Sequence, residues 1–130
     1  MIVKKNGYDF EIKVETAEID QEKSEERSEE LSYNVEIVHF YITVTEVTKD
    51  ARYNYEIVGN IEYDEYGQDE IEFDDGSQYR SYVTLVGGDV QDREFNAAVK
   101  DFFSEDCDVG SLVYDNLSDE DIAKIEKLQN

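Results

Sequence analysis

The side chains with the most evident chemistry are one histidine, His39, one cysteine, Cys107, and 34 carboxylates set against 12 basic residues. An imidazole works as a general base, a thiolate as a nucleophile, and clustered oxygen or soft ligands as a metal cage. His39 lies in the run Tyr33 to Val47, Tyr-Asn-Val-Glu-Ile-Val-His-Phe-Tyr-Ile-Thr-Val-Thr-Glu-Val, the most hydrophobic stretch of the chain. A hydrogen-bonded structural imidazole suits those surroundings better than a base. Cys107 has Glu105, Asp106 and Asp108 as neighbours, and negative charge close to a thiol disfavours the thiolate. Zinc needs several nitrogen or sulfur ligands, and these two residues stand alone.

The carboxylates do not fall into a calcium loop. Such a loop needs oxygen ligands at fixed spacing around a glycine at the sixth position and a closing Glu at the twelfth. Counting from Gly67 places Glu62 first but Phe73 twelfth, and counting from Gly76 places Ile71 first. Asp106-Cys107-Asp108-Val109-Gly110 is too short for a loop of this kind. Gly87-Gly88-Asp89 has neither the glycine fingerprint nor the lysine of a phosphate cradle. With so many acids, two carboxylates close together carry little information about acid/base catalysis. The expectation is a protein without enzymatic activity, metal ligands or cofactor, with a calcium-binding module as an alternative.

Charge says more. A net charge of −22 far exceeds the magnitude of roughly 2 to 8 usual for a small domain. It excludes direct binding to nucleic acid or anionic membrane, which depends on Lys and Arg, and it attracts basic partners. The excess is local. No basic residue stands between Arg52 and Arg80, a stretch holding Glu56, Glu62, Asp64, Glu65, Asp69, Glu70, Glu72, Asp74 and Asp75. From Asp101 to Asp121 there are further acids and no base, Asp106 and Asp108 among them.

If Tyr66-Gly67-Gln68 reverses the chain, Tyr63 pairs with Ile71, Ile61 with Phe73, Glu62 with Glu72 and Asp64 with Glu70. Like charges directly opposite are destabilising, so the negative field itself would be useful. Same-face residues repeat about every 6.8 Å on a strand, and phosphates about every 3.4 Å along one DNA strand, so the carboxylates would form a comb at about half the phosphate density. The predicted partner-binding residues are Glu56, Glu62, Asp64, Tyr66, Asp69, Glu70, Glu72, Asp74, Asp75, Asp106 and Asp108, with Tyr79 as a further anchor. The two acidic stretches are expected to form one ridge. It would occupy the basic nucleic-acid-binding cleft of a nuclease or another DNA/RNA-handling protein by mimicry. In size and charge the chain is similar to the small acidic inhibitors of bacterial defence nucleases made by phages and mobile elements, the anti-CRISPR proteins included. The alternative is a structural or assembly protein whose acidic surface only solubilises it, with self-association through a sheet edge.

The elements that position these residues follow from periodicity. Tyr8, Phe10, Ile12 and Val14 alternate with charged residues, as in a half-buried strand. Residues 16–32 are so acidic that a mobile linker or a marginal polar helix is expected. Tyr33 to Val47 predicts a central strand covered on both faces. Strands follow from Tyr53, through Ile71 and Phe73, and over Tyr79 to Val86, with turns at Tyr66-Gly67-Gln68 and Asp74-Asp75-Gly76-Ser77; Gly59 marks a bulge or bend. Phe95, Ala98, Val99, Phe102 and Phe103 repeat with a helical period. Ser118 and Asp121 suggest the cap of a final helix.

The sum is one α+β domain over residues 1–130: an antiparallel meander of about five strands with one or two carboxy-terminal helices packed on one sheet face. No apolar run reaches the roughly 18 residues of a membrane span, and no secretory signal precedes the first strand. With a lone cysteine, that predicts a cytoplasmic protein.

Overall fold

The computed structural model describes residues 1–47, 52–73, 80–84 and 93–129. The chain begins with a hairpin. Strands β1 (Ile2–Lys5) and β2 (Tyr8–Ile19) meet at Asn6-Gly7, both with positive φ (51° and 84°), and Lys5 pairs with Tyr8. Asn-Gly is the pair that tolerates this two-residue turn, whose twist matches that of the strands. β2 then pairs antiparallel with β3 (Glu36–Glu46).

Glu15 is an extra residue in β2, since Val14 pairs with Ile42 and Thr16 with Tyr41. The bulge switches which residues face inward. Before it, Tyr8, Phe10, Ile12 and Val14 face the core; after it, Ala17 and Ile19 do. Residues 16–19 therefore belong to a long strand. Gln21–Leu31 form helix α1, the polar helix of the two readings of this segment. Asp20 caps it, with Oδ1 accepting from Lys23 N at 3.0 Å, and Ser32 ends it in the left-handed conformation.

The inward face of β3 consists of Val38, Phe40, Ile42, Val44 and Glu46, all fully buried. Its other face carries Ile37, His39, Tyr41, Thr43 and Thr45, all only partly buried. Among the described residues one face, not two, is covered. β4 (Arg52–Asp64) pairs with β3 and buries Ile57, Ile61 and Tyr63. Gly59 sits on the same side, where a Cβ would run into the Glu72 carbonyl oxygen and crowd the Phe40 ring at 3.0 Å. The glycine marks a close approach of neighbouring strands.

β5 (Gly67–Phe73) turns back at Glu65-Tyr66, with Asp64 opposite Gly67. β6 (Arg80–Thr84) pairs with the first half of β4, from Arg52↔Thr84 to Glu56↔Arg80, so β5 and β6 succeed one another along the same side of β4. The sheet is a curled antiparallel meander, β1-β2-β3-β4-β5, with β6 added to β4.

Helices α2 (Arg93–Glu105), α3 (Val109–Asp115) and α4 (Asp119–Leu128) pack on the inward face. Phe95, Ala98, Val99, Phe102 and Phe103 of α2 are buried, as their spacing predicts. Phe10 meets Phe95 and Phe102 edge-to-face at 6.0 and 5.7 Å. Ser118 caps α4 by accepting from Asp121 N at 3.1 Å. The last turn of α2 has no base to balance its negative pole. Lys5 of β1 supplies one, with Nζ 2.7 Å from Glu105 and 2.9 Å from Asp106. Those two carboxylates raise the lysine's pKa. Beside it, Asn6 Nδ2 donates to Asp101 at 2.8 Å, so the first hairpin is clamped to α2.

Candidate functional site

Two surfaces present functional groups: the uncovered sheet face, and a groove at the end of the sheet between α1 and α4. The uncovered face is built by register. Lys13, Thr43 and Glu56 lie in one row across β2, β3 and β4; Thr16, Tyr41 and Val58 in the next; Glu18, His39, Asn60 and Glu72 in a third that reaches β5. Side-chain bonds cross these rows. Tyr41 donates to Glu56 Oε1 at 2.5 Å, Thr43 to Glu15 Oε1 at 3.0 Å, and His39 Nδ1 lies 3.2 Å from Asn60 Oδ1. One ring nitrogen of His39 is thus engaged by the neighbouring strand. Glu11 and Glu18 on this face are exposed. Nothing in the sequence reading placed Glu11, Glu15 and Glu18 with Glu56 and Glu72. The signal available was the Glu15 bulge, where the strand's alternation changes phase.

The predicted hairpin register is not the one formed. Ile61 pairs with Ile71, Asn60 with Glu72, Tyr63 with Gln68, and Asp69 and Glu70 together bulge opposite Glu62. Glu62 therefore faces that acidic pair and not Glu72. Its carboxylate instead accepts from Arg27 Nε of α1 at 2.8 Å, and Arg27 Nη1 also lies 3.4 Å from Glu30. The reversal is one residue earlier than predicted because Asp64 Oδ1 accepts from Tyr66 N at 2.8 Å, closing the turn before Gly67. The proposed charge comb is also interrupted, since Val58 and Asn60 stand between Glu56 and Glu62 on the same side of β4. Tyr66 at the hairpin tip is 90% exposed.

The second acidic stretch is occupied differently. Asp106 is bridged by Lys5, and Asp108 caps α3 by accepting from Gly110 N at 3.1 Å and Ser111 Oγ at 3.2 Å. Both stand on the helix layer, whereas Glu56, Glu62 and Glu72 stand on the uncovered face. Asp74, Asp75, Tyr79, the turn at 74–77 and Gly87-Gly88 lie outside the described residues. Cys107 is half-buried, and burial, then Asp108 and Asp115, push its thiol pKa up, which keeps it protonated. Among the described residues no three His, Cys, Asp or Glu side chains are placed to hold a metal, and no helix is long and apolar enough to cross a membrane.

The groove has a volume of about 750 Å³. Its floor is Val35 and Glu36 at the start of β3, one wall is α1, and the other is the α4 segment of Lys124, Lys127 and Leu128. Helix α1 turns Gln21, Ser24, Glu25, Ser28 and Glu29 toward it, and Glu65 of the β4–β5 turn and Tyr33 complete the lining. Glu36 Oε2 is buried with no hydrogen-bond partner. Burial raises the Glu36 pKa, while Lys124 and Ser24 favour its charged form.

The architecture is that of an α+β protein whose sheet has one face under helices and one acidic face uncovered among the described residues. No protein-family model, curated protein or solved structure matches the chain.

Proposed function

We propose that this protein is an acidic interaction domain that binds a basic protein through the uncovered face of its sheet. The site it would occupy is the nucleic-acid-binding cleft of a nuclease or another DNA/RNA-handling protein. The observation that carries this reading is the composition of that face. Asp9, Glu11, Glu15, Glu18, Glu56, Glu62 and Glu72 come from three strands, against Lys4, Lys13, Arg52 and Arg80 at register positions of the same face and Arg27 at one corner. At its centre Ile37, Tyr41 and Val58 are partly exposed. A ring of like charge steers encounter and sets salt dependence, while a partly apolar centre supplies affinity. The resemblance to nucleic acid is one of charge sign, not of charge density or regular phosphate spacing.

The test uses the immobilised protein and host lysate at about 0.1 and 0.5 M salt. Beside it runs a variant with Glu11, Glu18 and Glu72 changed to Lys. Retention of a basic nucleic-acid-binding protein at low salt, displaced by duplex DNA and lost in the variant, supports the reading. Equal association kinetics for variant and wild type at low salt would sink it. A second reading, assembly through the sheet edge, draws on Ile2 at the start of β1 and Met1 before it, 67% and 58% exposed. Concentration-dependent sedimentation tests it.

A further inference from the structure

We propose that two copies of this chain join through the free edge of β1, continuing the sheet across a twofold axis. The inference rests on the edge-assembly reading above and names its occupant and register; it does not depend on the basic partner.

β1 ends the sheet, and among the described residues no strand pairs with its outer side. Which of its backbone groups face outward follows from the Asn6-Gly7 turn. In a two-residue hairpin the residues flanking the turn exchange both backbone bonds, and every second pair beyond them does the same. Lys5 with Tyr8 and Val3 with Phe10 are such pairs, and Ile12 N donating to Met1 O at 2.8 Å continues the series. Ile2 and Lys4, opposite Glu11 and Asp9, fall between them. Their N–H and C=O groups therefore point away from β2.

Those outward groups complement themselves. Set antiparallel about Val3, Ile2 of each copy pairs with Lys4 of the other, and each pair exchanges both backbone bonds. Pairing about Ile2 would leave Lys4 unmatched, and pairing about Lys4 would bring in Asn6, whose φ of 51° is not a strand conformation. In the favoured register Val3 meets its own copy on the inward side, where it already packs against the core. A contact made by the same patch on both subunits closes at two.

Charge selects this edge. The first eight residues hold two lysines and no acid, the most basic stretch of that length in a chain of net charge −22. Two such bodies repel, and here they approach with least repulsion. A lysine on an edge strand ordinarily guards against pairing, but the neighbours of Lys4 reverse that role. Its side chain is 84% exposed, with Nζ 3.6 Å from Asp9. Across the joint the row reads Asp9 and Lys4, then Ile2 and Glu11 of the second copy. That Glu11 stands two strand spacings, about 9.5 Å, from Lys4, within the joint reach of two long side chains. Each lysine is thus flanked by two carboxylates, and Ile2, 67% exposed, is covered by its methylene stem. The axis runs perpendicular to the sheet, so both uncovered acidic faces lie on one side.

The experiment is sedimentation of the full chain from about 10 μM to about 1 mM, the range in which a small edge interface dissociates. The expected result is a monomer–dimer equilibrium that tightens between about 0.05 and 0.5 M salt, as the repulsion is screened. Amide exchange at Lys4 should slow as the dimer fills. Ile2→Pro removes an outward N–H and none of the β1–β2 bonds, and it should be monomeric throughout, with amide exchange at Phe10 reporting an intact hairpin. Where that hairpin loosens, Lys4→Glu is read instead and should weaken the dimer by about tenfold. A monomer at every concentration, growth past the dimer, a dimer that weakens with salt, or association unchanged in these variants would each overturn the inference. Ile2→Pro leaves Glu11, Glu18 and Glu72 in place, so capture of a basic partner should persist. A monomeric wild type with capture intact counts against this inference alone, and a dimer without capture counts against the sheet-face reading alone. Association that survives both variants leaves assembly through another edge standing and overturns only the β1 joint.

Discussion

Helix α1 is held in place chiefly by two hydroxyl groups, and removing one should release it. Eleven residues with no apolar stripe do not form a stable helix in water, yet α1 is docked. Ser24, 3% exposed, donates to Asp20 O at 2.7 Å and accepts from Ile37 N at 2.8 Å. Ser28 accepts from Val35 N at 3.1 Å. Both serines satisfy amides at the entry to β3 that no strand partner reaches. In Ser24→Ala the Ile37 N–H is left buried and unpaired, at a cost of about 1–3 kcal/mol. Alanine is the better helix former, so any loss reports docking and not helix propensity. The loss should be local: amide exchange across Glu22–Leu31 and at Ile37 should accelerate by about 5- to 150-fold, the same free energy expressed as an opening equilibrium. Amides in α2 should change far less. Hydrogen exchange read by NMR decides it, and unchanged protection at Ile37 and in α1 would refute the argument.

Further outcomes follow from the same contacts. Gly59→Ala places a methyl group against the Glu72 carbonyl and the Phe40 ring and should destabilise by about 1–3 kcal/mol in denaturant titration. The Tyr63 hydroxyl is buried without a hydrogen bond, and burial pushes its pKa up to about 12. Because the folded state holds that proton more tightly than the unfolded one, wild type should lose stability as pH rises from 10 toward 12; Tyr63→Phe should lose less over that range and melt no lower near neutrality. Glu36 has a raised carboxyl pKa for the same reason, so its ionisation subtracts stability as pH rises through that raised value. Glu36→Gln should melt higher than wild type near about pH 7 and lose that advantage near about pH 4. Lys5→Ala removes the cation from the end of α2, and its melting temperature should fall more at low salt than at high salt.

The amphipathic α2, the cap of α4, the core face of β3 and the run of sheet strands were legible in the sequence because each depends on local periodicity or capping chemistry. Phe95 to Phe103 must bury one helical face, and Val38 to Val44 one strand face, whatever else the chain does. Net charge likewise follows from composition alone, and so does the class of surface that an acid-rich chain attracts.

What tertiary structure decided is where that charge stands and which part of it is already engaged. The Glu15 bulge brings Glu18 onto the uncovered face beside Glu11, and the Asp64 turn sets Glu72 opposite Asn60 and Glu62 opposite Asp69 and Glu70. Arg27 and Lys5, distant in sequence from their partners, engage Glu62 and Asp106. Helix α1 was the hardest element to foresee, because it docks through serine hydroxyls on backbone amides. Hydrophobic patterns announce themselves in sequence; a hydrogen bond that a serine accepts from an amide thirteen residues away exists only once the strand has come to meet it.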